Sequence, residues 1–73
     1  MNNKITIKNV KINDVVLWAF PVKDSPNVEY KPVRIVAIHD APYDYFKAIR
    51  FVPIGHYAAE THYIHNSDFT FSV

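Results

Sequence analysis

The stretch between residues 33 and 52 constrains this chain most, because it predicts a β-hairpin. Two runs rich in β-branched and aromatic residues, 33–39 and 45–52, flank a break that contains Pro42. Short runs of this composition favour strands over helices, and a proline between them favours a turn. Pro42 suits the second position of a type I turn. We expect every other segment to be placed by its pairing with this hairpin.

Three further strands are expected around the hairpin. Residues 14–20 are apolar on both alternating faces, and Pro21 should end that strand because proline donates no ladder hydrogen bond. Residues 22–32 then form a long loop. After the hairpin, Gly55 marks a turn that requires a positive φ. Residues 58–65 and 69–73 predict the last two strands, with one tight helical turn at 66–68. Lys47 disturbs the alternation of its strand, which suggests a bulge near Ala48.

The number and spacing of these strands predict the fold class. Five short strands with almost no helix are typical of a small all-β barrel, in which closure removes exposed sheet edges. A chain of 73 residues forms a single domain. Its apolar fraction of 49% is too high for a disordered protein, and without cysteine neither disulfides nor thiolate metal sites can reinforce the core.

The N-terminal segment differs from the rest of the chain in charge. Residues 1–12 are predicted to form an extended basic arm on a barrel of residues 13–73. The first thirteen residues carry a net charge of +3 and the remaining sixty carry −2. A dedicated nucleic-acid-binding protein usually carries a basic face on its folded body, so this distribution disfavours that class. A solvated tail and a loosely held edge strand are the alternatives. If the arm is free, removing residues 1–11 should leave the barrel folded.

Several short motifs resemble those of known small barrels. Residues 13–16 (NDVV), 33–38, 49–51 and 66–69 resemble the strands and closing turn of SH3-like barrels of the Tudor and KOW kind. This resemblance implies a five-stranded SH3-like barrel. Residues 14–21, followed by Lys31 and Pro32, are also similar to the first strand and Arg-Pro step of MazF/PemK toxins. Lys31 replaces the arginine, and no Ser or Thr follows the third strand in the expected place, so this alternative is a degenerate MazF/PemK-like domain.

The whole chain, with its polar MNNKITIKNVKI start, resembles small phage-encoded regulators of bacterial RNA polymerase. The resemblance implies a monomer in the host bacterial cytoplasm that binds the polymerase β and β′ subunits. It also implies inhibition of initiation by displacement of the σ factor, and antitermination. Neither an enzymatic activity nor a cofactor is implied.

Two groups of residues are candidate binding sites. The arm could add itself to an exposed strand edge of a protein partner, with its lysines steering association. Its candidate partner-binding residues are Asn3, Lys4, Ile5, Ile7, Lys8, Val10 and Lys11. The alternative is binding of single-stranded RNA, such as a nascent transcript, on aromatic side chains with phosphate contacts. Its candidate contacts are Lys31, Arg34, Lys47 and Arg50.

Other chemistry-bearing residues favour structural roles. His62 and His65 would lie on opposite faces of a strand, so we expect no zinc site. Trp18 is expected in the core, and the five tyrosines in core and rim packing. We find no Ser/His/Asp spacing, glycine-rich phosphate loop or convincing carboxylate pair, so an enzyme is not expected. The polar N-terminus and the lack of a long apolar run predict a soluble intracellular protein.

Overall fold

The computed structural model describes residues 3–73, which form an all-β structure with six strands and no helix. The strands are β1 (Lys4–Thr6), β2 (Val15–Pro21), β3 (Val28–Asp40), β4 (Lys47–Pro53), β5 (Glu60–Ile64) and β6 (Thr70–Ser72). The predicted all-β class is therefore confirmed. Since residues 3–73 contain no helix, they contain none that could cross a membrane.

The six strands form one antiparallel sheet in the order β1-β6-β2-β3-β4-β5. Strands β1 and β5 are its two edges, and the sheet is not closed. A closed barrel of five strands is therefore not confirmed. The number of strands differs because the N-terminal segment contributes β1, which sequence analysis placed outside the folded body.

Strand β3 begins earlier than its sequence predicts. Residues 28–32 were expected in a loop, but they pair with β2 as far as Val28, which lies opposite Pro21. Pro32 is tolerated inside the strand because it lies opposite Leu17 at a position that requires no N–H group. Its carbonyl oxygen accepts a hydrogen bond from Ile54 N instead, at 3.1 Å. The loop shrinks to residues 22–27.

The core lies on one face of the sheet. Its central side chains are Val33, Ile35, Ile49 and Phe51, each with 0% of its surface exposed. The other members of the buried cluster are Ile7, Val10, Val16, Ile64 and Phe71. Trp18 is partly buried and packs against this cluster, with its ring centroid 5.1 Å from that of Phe51. Alternation along β2 from Val16 therefore carries the aromatic Trp18 onto the core side.

The sheet contains a bulge, but not at the predicted position. Strand β4 pairs with β5 without interruption at Ala48, so the predicted bulge there is wrong. The irregularity lies on the neighbouring strand β3, between Ile35 and Ala37. One extra residue at Val36 reverses the alternation of β3. Ile38 consequently lies opposite the buried Ile49 and faces the core.

The backbone adopts positive φ angles at several turns. Gly55 has φ +87°, which confirms the predicted positive φ. Tyr43 has φ +60°, so the predicted type I turn is wrong, because its third position requires a φ near about −90°. Asn13 has φ +79°, a conformation that asparagine tolerates better than most residues. The Asp14 carboxylate accepts a hydrogen bond from Lys11 N at 2.8 Å and holds this turn.

The predicted free arm is wrong for the residues that the structure describes. Strand β1 pairs with β6, with Ile5 opposite Phe71. Ile7 N then donates to Phe69 O at 2.9 Å, and Ile7 and Val10 are only 2% and 6% exposed. Both are core residues because burying their side chains stabilises a small domain more than leaving them in water. The edge-strand alternative is the correct one.

Candidate functional site

The seven candidate residues of the N-terminal segment do not form one exposed surface. Lys4, Lys8 and Lys11 are exposed, whereas Ile7 and Val10 are buried. Of the remaining two, Ile5 packs against the core, and Asn3 accepts a backbone hydrogen bond from Val73 N at 3.1 Å. The three lysines and the Asn3 side chain are exposed and can meet a partner without disturbing the fold.

A groove lies between β2 and β6, where the two strands diverge. They pair only at Leu17 and Ser72, and their pairing does not continue along the rest of β2. The groove that opens there has a volume of about 330 Å³. Its walls include Lys4, Leu17, Trp18, Ala19, Tyr30 and Phe69. We call it the β2–β6 groove. Apolar walls with one cation at the rim are typical of a binding cleft.

The backbone of β2 presents an unpaired edge to this groove. Hydrogen bonding between β2 and β3 alternates, and the bond from Val22 N to Asn27 O at 3.3 Å sets its phase. Ala19 therefore directs its N–H away from β3, towards the groove. Pairing with β6 has already ended at Leu17, so within residues 3–73 Ala19 has no register partner on that side. An unpaired strand edge is a template for an additional strand.

An aromatic cluster forms the floor of the groove. The Trp18 ring centroid lies 6.0 Å from those of Phe69 and Phe71 and 4.8 Å from that of His62. The His62 ring stacks on Phe51 with a centroid distance of 4.9 Å. His62 Nε2 is buried, finds no hydrogen-bond partner within residues 3–73, and lies 3.7 Å from a Glu60 carboxylate oxygen. These contacts hold the Trp18 ring in place.

The four candidate RNA contacts fall into two pairs. Lys31 lies 3.7 Å from a Glu29 carboxylate oxygen and 6.0 Å from the centre of the Phe20 ring. Lys47 donates a 2.6 Å hydrogen bond to Asp40, and this bond holds the pKa of the Asp40 carboxyl below its ordinary value.

The two arginines are placed differently from the lysines. Arg34 makes one side-chain hydrogen bond, from Nη1 to Asn13 Oδ1 at 3.4 Å. Arg50 is exposed and makes no ion pair or side-chain hydrogen bond within residues 3–73. The two lysines therefore already have carboxylate partners, whereas the two arginines have none and are available to a ligand.

The tyrosines and histidines are largely at the surface. Tyr43 and Tyr57 are almost fully exposed, at 95% and 101%, whereas Tyr45 packs against Tyr63 with a centroid distance of 5.1 Å. The described part of the chain, residues 3–73, contains no cluster of three or more His, Cys, Asp or Glu side chains that could hold a metal ion.

No known protein family, curated protein or solved structure matches this chain. Sequence analysis missed the β2–β6 groove. Its existence depends on where the pairing of β2 with β6 ends, and these strands lie about 50 residues apart in the chain, so no local pattern encodes it.

Proposed function

We propose that the protein is a non-enzymatic binding module that takes up an extended segment of a partner protein in the β2–β6 groove. The observation that carries this proposal is the edge of β2 at Ala19, which has no register partner on β6, beside a groove of about 330 Å³. An added strand would gain main-chain hydrogen bonds from β2, and its alternate side chains would enter the groove. Trp18 and Tyr30 offer the aromatic surface that interface hot spots favour.

The partner we propose is bacterial RNA polymerase, bound through its β and β′ subunits. The whole-chain resemblance to small phage-encoded regulators supports this choice. In that role the protein would inhibit initiation by displacing the σ factor and would promote antitermination. Lys4 at the groove and Lys8 and Lys11 nearby in the chain are exposed. They would steer the protein towards an acidic surface and accelerate association.

The fold proposal that accompanies this function is an open variant of the SH3-like barrel. Strands β2 to β5 follow one another across the sheet, and β6 returns to lie beside β2. This connectivity supports the resemblance of residues 13–16 and 66–69 to SH3-like strands. Strand β1 would then be an addition to that fold, on the far side of β6.

A co-purification experiment with purified bacterial RNA polymerase tests the proposal. We expect a stable complex at micromolar concentrations. Tyr30→Ala should weaken it by at least about tenfold, which corresponds to about 1.4 kcal/mol. The matched control is Tyr57→Ala, because Tyr57 is also exposed but lies outside the groove. Both variants should keep the wild-type circular dichroism spectrum.

Two results would contradict different parts of the proposal. Failure of the wild-type protein to form a complex would exclude the polymerase as its partner. A complex that Tyr30→Ala and Tyr57→Ala weaken equally would keep the polymerase but exclude the β2–β6 groove as the site.

A further inference from the structure

The face of the sheet opposite the core, here called the outer face, carries two arginines on neighbouring strands. Arg34 pairs with Val52 across β3 and β4, and Arg50 lies two residues before Val52. Positions in this diagonal relation point to the same face and lie about 7–8 Å apart. Both side chains are exposed. The two arginines therefore share one exposed face, on which Arg34 Nη1 also donates a 3.4 Å hydrogen bond to Asn13 Oδ1.

The outer face also lacks negative charge at its strand positions. Strand alternation and register place the three acidic residues of the strands, Glu29, Asp40 and Glu60, on the opposite, core side near strand ends. Two of them already lie against lysines, at 3.7 Å for Glu29 and 2.6 Å for Asp40. The slightly acidic net charge of residues 14–73 thus conceals two unlike faces. One of them, within the described strands, is purely basic.

A fixed aromatic ring lies beside the arginines. Tyr63 pairs with Ala48, two residues before Arg50 on β4, so it also occupies the outer face. It is 51% exposed, and its ring packs on Tyr45, whose centroid is 4.1 Å from that of His65. Because one side of the ring is already packed, little conformational entropy is lost when a flat ligand stacks on it.

We infer that the outer face binds single-stranded nucleic acid through Arg34, Arg50 and Tyr63. The planar guanidinium groups match phosphate oxygens bidentately, and a base can stack on the tyrosine ring. An acidic peptide would satisfy the arginines but would leave the ring without a planar partner. RNA and single-stranded DNA share the chemistry that this face recognises. Arg34, Arg50 and Tyr63 do not line the β2–β6 groove, and the inference does not depend on the polymerase.

Fluorescence anisotropy with labelled single-stranded oligonucleotides of about 12 nucleotides tests the inference, with one RNA and one DNA form of the same sequence. The double variant Arg34→Gln/Arg50→Gln should lose at least about tenfold in affinity. Its salt dependence should also weaken, with the slope of log affinity against log salt falling by about 1.4, because two single-strand phosphate contacts are removed.

The matched control removes the same charge from the other face. Lys31→Gln/Lys47→Gln should lose less than about threefold, because both lysines already have carboxylate partners. Tyr63→Leu keeps the charge and removes the stacking ring, and it should lose about tenfold with an unchanged salt slope. Circular dichroism of each variant checks that the fold is retained. Preference for the RNA form would indicate a transcript, and equal binding would indicate either strand.

Three outcomes would overturn the inference. The first is the absence of binding by the wild-type protein at about 50 mM salt, where phosphate contacts are strong. The second is an equal loss in the arginine and lysine double variants, which would show that binding follows net charge alone. The third is binding of a polyglutamate peptide as tightly as either oligonucleotide, which would identify the face as a site for acidic protein.

Discussion

Two regions of the molecule behave opposite to what their sequences suggest. They are residues 4–12 and the distal hairpin, defined as residues 19–31, which belong to β2, to β3 and to the loop between them. The first segment is basic and was predicted to be a free arm, yet Ile7 and Val10 are almost completely buried. The distal hairpin includes part of a confidently predicted strand, yet none of its residues is fully buried. Burial of inward-facing side chains, and not strand pairing or charge, decides which segment belongs to the folded core.

The comparison also assigns the two segments different roles. Residues 4–12 close one end of the core and leave only their lysines to a partner. The distal hairpin has paired strands but extends past β6, and this leaves the edge of β2 at Ala19 without a register partner beside the β2–β6 groove. Regions with few buried contacts open most easily and are where binding sites are commonly found. The more buried segment is therefore structural, and the more exposed one is available for function.

Removal of residues 1–11 should have the largest effect on stability of the changes considered. The structure indicates that the truncated protein unfolds, because it loses β1 and two core side chains, Ile7 and Val10. A domain of this size has only about 3–5 kcal/mol of stability, and one buried large side chain is worth about 2–5 kcal/mol. Circular dichroism and urea denaturation measure the result. The triple variant Lys4/Lys8/Lys11→Ala is the control and should stay folded. If the truncated protein folds, the free-arm interpretation is correct and the structural role of residues 4–11 is wrong.

The pair Ile7→Ala and Ile12→Ala sharpens the comparison within the N-terminal segment. Ile7 is 2% exposed and Ile12 is 56% exposed, although the two residues are similar in sequence context. We expect Ile7→Ala to lower the free energy of unfolding by about 2–5 kcal/mol and Ile12→Ala by less than about 0.5 kcal/mol. Urea melts of both variants give these values. Equal losses would show that Ile7 is not a core residue.

Amide hydrogen exchange should separate the distal hairpin from the body. Ile35 N donates to Asp14 O at 2.9 Å beside the core, whereas Phe20 lies in the distal hairpin opposite Glu29. We expect the Ile35 amide to exchange at least about tenfold more slowly than the Phe20 amide, because local opening of the hairpin exposes no buried side chain. Exchange followed by NMR tests this. Equal protection would show that the distal hairpin opens only with the whole domain.

The smallest effect concerns the two lysine–carboxylate pairs, Lys47–Asp40 and Lys31–Glu29. The hydrogen bond from Lys47 holds the pKa of Asp40 below its ordinary value of 3.8. This pair therefore stabilises the fold above that value, and its contribution disappears as the pH falls through the lower, native pKa. Lys47→Gln should raise the pKa of Asp40, and Lys31→Gln, in the distal hairpin, should leave it unchanged. NMR titration of the Asp40 carboxyl measures both; no difference between the variants would contradict the pairing.

The sequence determined the all-β class and most strand positions of this protein. The alternating faces of residues 14–20, the apolar runs around Pro42 and the requirement for a positive φ at Gly55 are local properties of the chain. They depend on side-chain branching, on the missing N–H of proline and on the freedom of glycine. Strand assignments of this kind therefore survive without knowledge of the tertiary structure.

The tertiary structure alone decided which segments share the core and where the candidate sites lie. Ile7 and Val10 looked like arm residues because β6, with which the preceding strand β1 pairs, is at the other end of the chain. Likewise, the bulge at Val36, the early end of pairing between β2 and β6, and the separation of Arg34 and Arg50 from the two lysines depend on register between distant strands. A shift of one residue moves every side chain to the opposite face, and that register is set by packing of the whole sheet rather than by any local pattern.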